Sequence, residues 1–180
     1  MSSVLKSQNF SVEDMRQYIN DIPNFPKAGI MFRDISPLLR HHFGEAIEQI
    51  SKLFSAQEWD EIELIGGIES RGFILAAALA AIKQKGFVKI RKSGKLPGPV
   101  VKRVYGLEYG NDALEMQPGT GRMLIIDDVL ATGGTLKAAA ELAQESGHKV
   151  IGFACLINLA YLNKFCWNNI KSRNLIEYEA

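Results

Sequence analysis

Cysteine and histidine are scarce in this 180-residue chain: there are two of the first, Cys155 and Cys166, and three of the second, His41, His42 and His148. Two cysteines without ligand spacing exclude a disulfide-built scaffold and a zinc cluster, and they fit core residues in a reducing compartment. The histidines form no ligand constellation and read as surface or loop residues, so no protein-built metal centre is expected. A surplus of charge is missing too. Lys plus Arg total 21 against 20 for Asp plus Glu, a net of +1, which gives no general attraction to nucleic acid or to an anionic membrane. The longest apolar run, Phe73 to Ile82, has ten residues, against the roughly 20 needed to span a bilayer. Met1 to Phe10 has no basic segment leading into an apolar one, so no secretory signal is expected. The expectation is a soluble, cytoplasmic protein without nucleic-acid or membrane partners. At 47% hydrophobic it can fill one core, and a single domain over residues 1–180 follows.

What is present is concentrated between Met123 and Leu136. Four apolar residues, Met123 to Ile126, lead into Asp127 and Asp128, then into a turn of small residues, then into a helical pattern from Leu136. That order reads as buried strand, loop and helix. In an open parallel sheet ligands sit outside the carboxyl ends of the strands, which makes the two carboxylates candidate ligand groups. Ala131, Thr132, Gly133, Gly134 and Thr135 carry little bulk, so successive N–H groups can turn toward one anion at the positive end of the helix. Thr132 and Thr135 add hydroxyl donors, and the loop suits a phosphate monoester. Capping alone explains each piece taken singly; the joint order is much less common.

No Gly-Lys-Ser/Thr follows the glycines and no Gly-x-Gly-x-x-Gly occurs, which excludes the Walker A and dinucleotide fingerprints. The stretch resembles instead the phosphoribosyl-pyrophosphate signature of the type I phosphoribosyltransferases. The resemblance implies that Asp127 and Asp128 hold the ribose 2′- and 3′-hydroxyls and that Ala131 to Thr135 hold the 5′-phosphate.

Upstream, Ser11 to Asp14 reads as an N-cap opening a short helix that ends before Pro23. Ile22 to Pro37 has too many turn residues to be one regular element, yet it carries Phe25, Ile30, Met31 and Phe32. On composition alone a loop tucked on the core is favoured over a lid on a flat ligand. The run Phe25-Pro26, Gly29-Ile30, Phe32-Arg33-Asp34-Ile35-Ser36-Pro37 resembles the base-binding segment of the adenine phosphoribosyltransferases. That resemblance implies a hood over about residues 1–40, with Phe32 stacked on adenine, the main chain at Met31 and Arg33 reading the base edge, and Val129 completing the adenine site.

Phe43 to Phe54 reads as an amphipathic helix and Glu61 to Ile65 as a strand ending at Gly66-Gly67. Glu69, Ser70 and Arg71 then precede the apolar helix Gly72 to Gln84, a second anion site in the making with a fixed cation. Phe87 to Ile90 is a strand running into Arg91, Lys92 and Lys95. Such a basic run ordinarily marks a solvated face, and no stacking aromatics interleave it. Val100 to Tyr105 and Asp112 to Met116 have strand character around Gly106-Leu107-Glu108-Tyr109-Gly110, which reads as a mobile hairpin tip. Leu136 to Ser146 is then a helix, His148 to Ile157 a buried strand and Arg173 to Tyr178 the last strand. Strands alternating with helices predict an α/β fold with a mainly parallel, doubly wound sheet.

Family resemblance extends from Pro23 to Tyr178. It implies that Glu69, Ser70, Arg71, Arg91, Lys92 and Lys95 bind pyrophosphate, with Arg91 reaching across a homodimer interface and a cis peptide at Ser70–Arg71. It further implies a flexible catalytic arm over about residues 92–117, with Glu108 and Tyr109 joining Arg71 in catalysis. The implied reaction is adenine plus phosphoribosyl pyrophosphate to AMP plus pyrophosphate, with Mg²⁺ carried mainly by substrate. The alternatives are a 6-oxopurine enzyme and a regulator that keeps the fold without catalysis. The adenine-type segment at Met31 to Arg33 speaks against the first, and the near-neutral charge and the Glu108 loop speak against the second.

Overall fold

The computed structural model describes residues 10–107 and 110–180, with the side chains of 107–111 outside the description. Two compact units divide the chain, the smaller ending at Gln49 and the larger running from Ile50 to Ala180.

The smaller unit opens with α1 (Val12–Arg16), whose Ser11 and Asp14 cap each other in a capping box. The Pro- and Gly-punctuated stretch then forms an antiparallel pair, β1 (Asn20–Pro23) and β2 (Met31–Asp34), followed by α2 (Ser36–His41). Phe25, Ile30 and Met31 are exposed, at 51%, 41% and 42%, so this stretch is not a loop tucked on a core. The unit ends within α3 (Phe43–Ser51), three residues shorter than its expected end at Phe54.

The larger unit continues with α4 (Ala56–Glu61), β3 (Leu64–Ile68), α5 (Arg71–Lys83), β4 (Gly86–Lys92), β5 (Val101–Leu107) and β6 (Gly110–Met116). It closes with β7 (Gly121–Leu130), α6 (Gly134–Glu145), β8 (His148–Leu159) and β9 (Ser172–Tyr178). Seven strands form one sheet in the order β5-β6-β4-β3-β7-β8-β9. β4, β3, β7, β8 and β9 are parallel neighbours, while the β5–β6 hairpin joins antiparallel along β4 through Arg91↔Glu115 and Lys92↔Leu114. The hairpin expected as an arm is therefore built into the sheet along its base.

The winding fixes where a site can lie. β3-α5-β4 steps toward one edge and β7-α6-β8 toward the other. Right-handed crossovers in opposite directions put α5 and α6 on opposite faces and leave a switch point between the carboxyl ends of β3 and β7. α6 buries Leu136, Ala139, Leu142 and Ala143 in a cluster with Met123, Ile125, Ile90 and Phe153.

Three local expectations are corrected. Glu61 belongs to α4, whose Ser55 and Glu58 form a capping box, and the strand begins at Leu64. Gly66 and Gly67 lie inside β3 rather than ending it, because a Cβ at Gly66 would stand 2.8 Å from Met123 Sδ and one at Gly67 2.7 Å from Ala76 Cβ. Bare backbone there lets β7 and α5 approach. Third, β7 runs on through Asp127 and Asp128 to Leu130, pairing Asp127 with Cys155 of β8. The carboxylates thus sit on the strand just past the end of its pairing with β3, which stops at Ile126, and are held there from the β8 side.

His148 is not a surface residue: it starts β8 at 6% exposure, and burial holds its imidazole below the usual value. His42 stacks on Phe10 at 3.9 Å between ring centroids. Cys155 is buried as expected, but Cys166 is exposed, and both are free thiols. Among the described residues no helix is long and apolar enough to cross a membrane.

Candidate active site

At the switch point, β3 ends and Glu69 and Ser70 lead into α5. The cis peptide lies at Glu69–Ser70, one bond earlier than the family resemblance implied. Ser70 caps α5 without a side-chain hydrogen bond, and α6 likewise starts from Gly133 (φ +87°) without one. Away from the site, α1 and α4 close their first turns with serine and an acid. Neither helix at the switch point therefore has its first turn closed by its cap side chain, and each starts at the positive end of its dipole.

Glu69, Ser70 and Arg71 share a cavity of about 310 Å³ with Lys92, Asp127, Asp128 and Thr135. Tyr105 and Asp112 of the β5–β6 hairpin line it as well. A smaller recess beside it, about 60 Å³, is lined by Asp127, Val129, Ala131, Thr132, Gly133 and Thr135. β7 thus brings the two acids and the small-residue loop to one place, and β3 brings Arg71 to the same place.

The two acids differ in their partners. Asp128, buried to 7%, is ion-paired with Arg71 at 2.7 Å. Asp127 Oδ1 accepts the Asp128 N–H at 2.9 Å, and it would stand 2.9 Å from a Cβ at Gly72. Glycine at the start of α5 is what admits the carboxylate. Burial, then the neighbouring Asp128, push the Asp127 carboxyl well above the ordinary value; burial raises Asp128 too, with Arg71 opposing. The pair is held close to charge it does not readily carry alone, so a cation or hydroxyl donors between the acids are favoured.

The basic run is arranged around Glu69. Arg91 Nε lies 3.1 Å and Lys95 Nζ 2.5 Å from its carboxylate, and the Lys92 N–H donates to it at 3.0 Å. These partners hold Glu69 at a pKa of about 2, the Arg91 hydrogen bond contributing most. Lys92 Nζ pairs with Asp112 at 3.2 Å and lines the cavity, whereas Arg91 and Lys95 are not among its lining residues.

In the smaller unit, Arg33 is buried, and its guanidinium pairs with Asp21 directly across the β1–β2 ladder. Ile30 carbonyl accepts the Phe25 N–H, and Pro23, opposite Met31, has no N–H to give. Phe25 and Phe32 meet edge to face at 5.1 Å. Glu108 and Tyr109 lie outside the described residues.

Three site residues had no distinct signal in the sequence. Tyr105 reads as an alternating strand residue, yet its phenol shares a hydrogen bond with Thr135. Asp112 and Asn163 likewise sit in unremarkable patterns, yet Asn163 Nδ2 donates to the Ala131 carbonyl at 2.7 Å, behind the small-residue loop.

The comparisons agree with this geometry. Residues 36–164 match the phosphoribosyl transferase domain. The chain is 52% identical over 166 residues to adenine phosphoribosyltransferase of Hydrogenovibrio crunogenus, covering 92% of this chain and 96% of that one. The crystal structure of the enzyme from Rhodothermus marinus superposes with a TM-score of 0.84 at 41% identity, covering 93% and 98% of the two chains. That from Saccharomyces cerevisiae, complexed with an imino-altritol bisphosphate and adenine, gives 0.80 at 33% identity, covering 91% and 97%. A phosphoribosyltransferase fold and site are thus defined, and within that class the chain belongs to the adenine phosphoribosyltransferase family.

Proposed function

We propose that this site joins adenine to the phosphoribosyl group of phosphoribosyl pyrophosphate, releasing AMP and pyrophosphate, with the two strand ends dividing the substrate between them. The observation that carries the assignment is that β3 and β7, parallel neighbours, deliver Glu69-Ser70-Arg71 and the Asp127/Asp128 pair to one cavity, each followed by a helix without a side-chain cap. The α6 start, with Ala131, Thr132, Gly133, Gly134 and Thr135, receives the 5′-phosphate. Asp127 and Asp128 accept the ribose diol. Ser70 and Arg71 at the α5 start receive the pyrophosphate, with Lys92, Arg91 and Lys95 supplying further positive charge and Glu69 holding the last two in place.

Chemistry of this kind breaks the bond from the anomeric carbon to pyrophosphate oxygen as the base nitrogen N9 bonds to that carbon. Negative charge builds on the leaving group while positive charge builds on the sugar, so fixed cations at one end and carboxylates near the other lower the barrier. Arg71 is placed for this because it already stands beside Asp128. The proton lost from N9 needs an acceptor, and Glu108 with Tyr109 is proposed for that role on the sequence alone. Adenine is assigned to Phe32, to the main chain at Met31 and Arg33 and to Val129. This rests on the resemblance of that segment to the base-binding segment of the family and on the adenine named in the yeast relative's complex.

Mg²⁺ is proposed as the substrate's companion. Among the described residues no group of three or more acidic, histidine or cysteine side chains is placed to hold a metal. Asp127 and Asp128 would be the residues nearest such an ion, which the substrate itself would mainly carry. When bound, the ion neutralises charge on the departing pyrophosphate.

A homodimer is proposed from the apolar surface of α5 and β4, where Ile74, Ile82 and Phe87 are exposed at 44%, 55% and 39%. Sedimentation of the chain as a monomer at assay concentrations contradicts it. A cytoplasmic setting is proposed from the two free thiols. The functional test is pyrophosphate release from adenine and phosphoribosyl pyrophosphate. Release that needs adenine and Mg²⁺ supports the reading; none under any condition removes it.

A further inference from the structure

Glu115 has no place in the division of labour above, yet it is among the most completely satisfied carboxylates of the fold. It lies on β6, 1% exposed, in the strand pair opposite Arg91 of β4. Its Oε2 accepts the Gly94 N–H at 2.8 Å, and its Oε1 accepts those of Lys95 and Leu96 at 2.7 Å each. Lys102 Nζ stands 3.6 Å away. Gly94 has φ +87°, the left-handed conformation that lets successive N–H groups converge on one point. Such a concave nest of N–H groups is an anion site. Here its anion is a side chain of the protein itself.

The turn held in this way is the one that carries Lys95. Lys95 Nζ reaches Glu69 at 2.5 Å, and Arg91 both pairs with Glu69 at 3.1 Å and donates through Nη1 to the Lys95 carbonyl at 3.2 Å. Glu69 therefore orders the two cationic side chains, while Glu115 orders the main chain from which one of them springs and to which the other is bonded. Removing the nest's anion frees three N–H groups and the glycine turn, and with them the placement of Lys95 and Arg91.

We propose that Glu115 is a positioning residue for pyrophosphate recognition: by filling the Gly94–Leu96 nest it fixes the cationic pair Arg91 and Lys95 without touching substrate. The proposal rests on the assignment of those two cations to pyrophosphate made above. A purely structural carboxylate, holding the hairpin to β4, would affect every ligand and the stability together. A positioning carboxylate affects one half of the site.

Three variants separate these. Glu115→Gln keeps the volume but sets an NH₂ group against a ring of donors. Gly94→Ala strains the left-handed turn with open space around the new Cβ, so it leaves the buried side chain untouched. Lys95→Ala removes the cation itself. In calorimetry Glu115→Gln and Gly94→Ala are each expected to weaken pyrophosphate binding about ten-fold or more, as loss of one charged hydrogen bond does. AMP affinity is expected to stay within about two-fold, and the Michaelis constant for phosphoribosyl pyrophosphate to rise more than turnover falls. Equal loss of AMP and pyrophosphate affinity in Gly94→Ala, or unchanged pyrophosphate affinity in both nest variants while Lys95→Ala loses it, overturns the positioning role. Unchanged pyrophosphate affinity in Lys95→Ala overturns the cation assignment beneath it.

Discussion

Asp127 and Asp128 show how one residue pair is placed against its own interest. Burial and the adjacent acid raise the Asp127 carboxyl above its ordinary 3.8. An acid whose folded value lies above its unfolded value binds its proton more tightly when folded. The stability it contributes is full below the unfolded value and falls as pH rises through the folded one. Ionising the pair as pH rises is therefore a cost, offset in part by Arg71 at 2.7 Å from Asp128. Asp127→Asn removes that cost. Its thermal midpoint is expected to rise by a few degrees at neutral pH and to vary less as pH rises above the ordinary carboxylate value. AMP affinity is expected to fall about ten-fold or more, since a charge-assisted hydrogen bond is worth about 1.5–3 kcal/mol. A variant that is less stable and binds AMP normally contradicts the ligand role. Glu115 marks the limit of reading single residues: within Ala113-Leu114-Glu115-Met116 it reads as a solvent-facing strand residue, and only the folded turn supplies its three donors.

At the scale of elements, the β7–loop–α6 unit was legible because each part has a different composition: apolar strand, acids, small residues, amphipathic helix. Its boundaries were not. The strand runs past both acids because β8 continues to pair with it through Leu130 after β3 has ended at Ile126, which no local pattern records. α4 is not legible in the pattern, because a six-residue helix with a single buried residue, Trp59, makes no periodic signal; its Ser55–Glu58 capping box is the available clue. The β5–β6 hairpin reads as an arm from its own stretch, and its pairing to β4 depends on a partner outside that stretch. The α6 start carries a prediction of its own. Gly133 has φ +87°, and a Cβ there would stand 3.0 Å from the Phe165 ring. Gly133→Ala should therefore cost stability of the order of 1 kcal/mol from the backbone and displace the loop. In binding assays it should lose affinity for AMP and for ribose 5-phosphate alike while keeping pyrophosphate affinity. Normal AMP affinity in this variant removes the loop from phosphate binding.

For the whole molecule, the near-balance of charge and the alternation of strands and helices were enough to expect an α/β fold whose anion binding is local, and the sheet order accounts for why it is local. Two crossovers of the same hand diverge from β3 and β7, so their two glycine- or serine-started helices converge on one cavity. Neither half is specific to a base, and base choice is the proposed task of Met31, Phe32 and Arg33. The measurement that tests the account most directly is the initial rate of pyrophosphate release with phosphoribosyl pyrophosphate, Mg²⁺ and each of adenine, hypoxanthine, guanine, xanthine and uracil in turn. Adenine is expected to exceed every other base in kcat/KM by about 10² or more, because a site whose main chain pairs one base edge leaves polar groups unpaired against the others. Hypoxanthine or guanine turning over as well as adenine would contradict it.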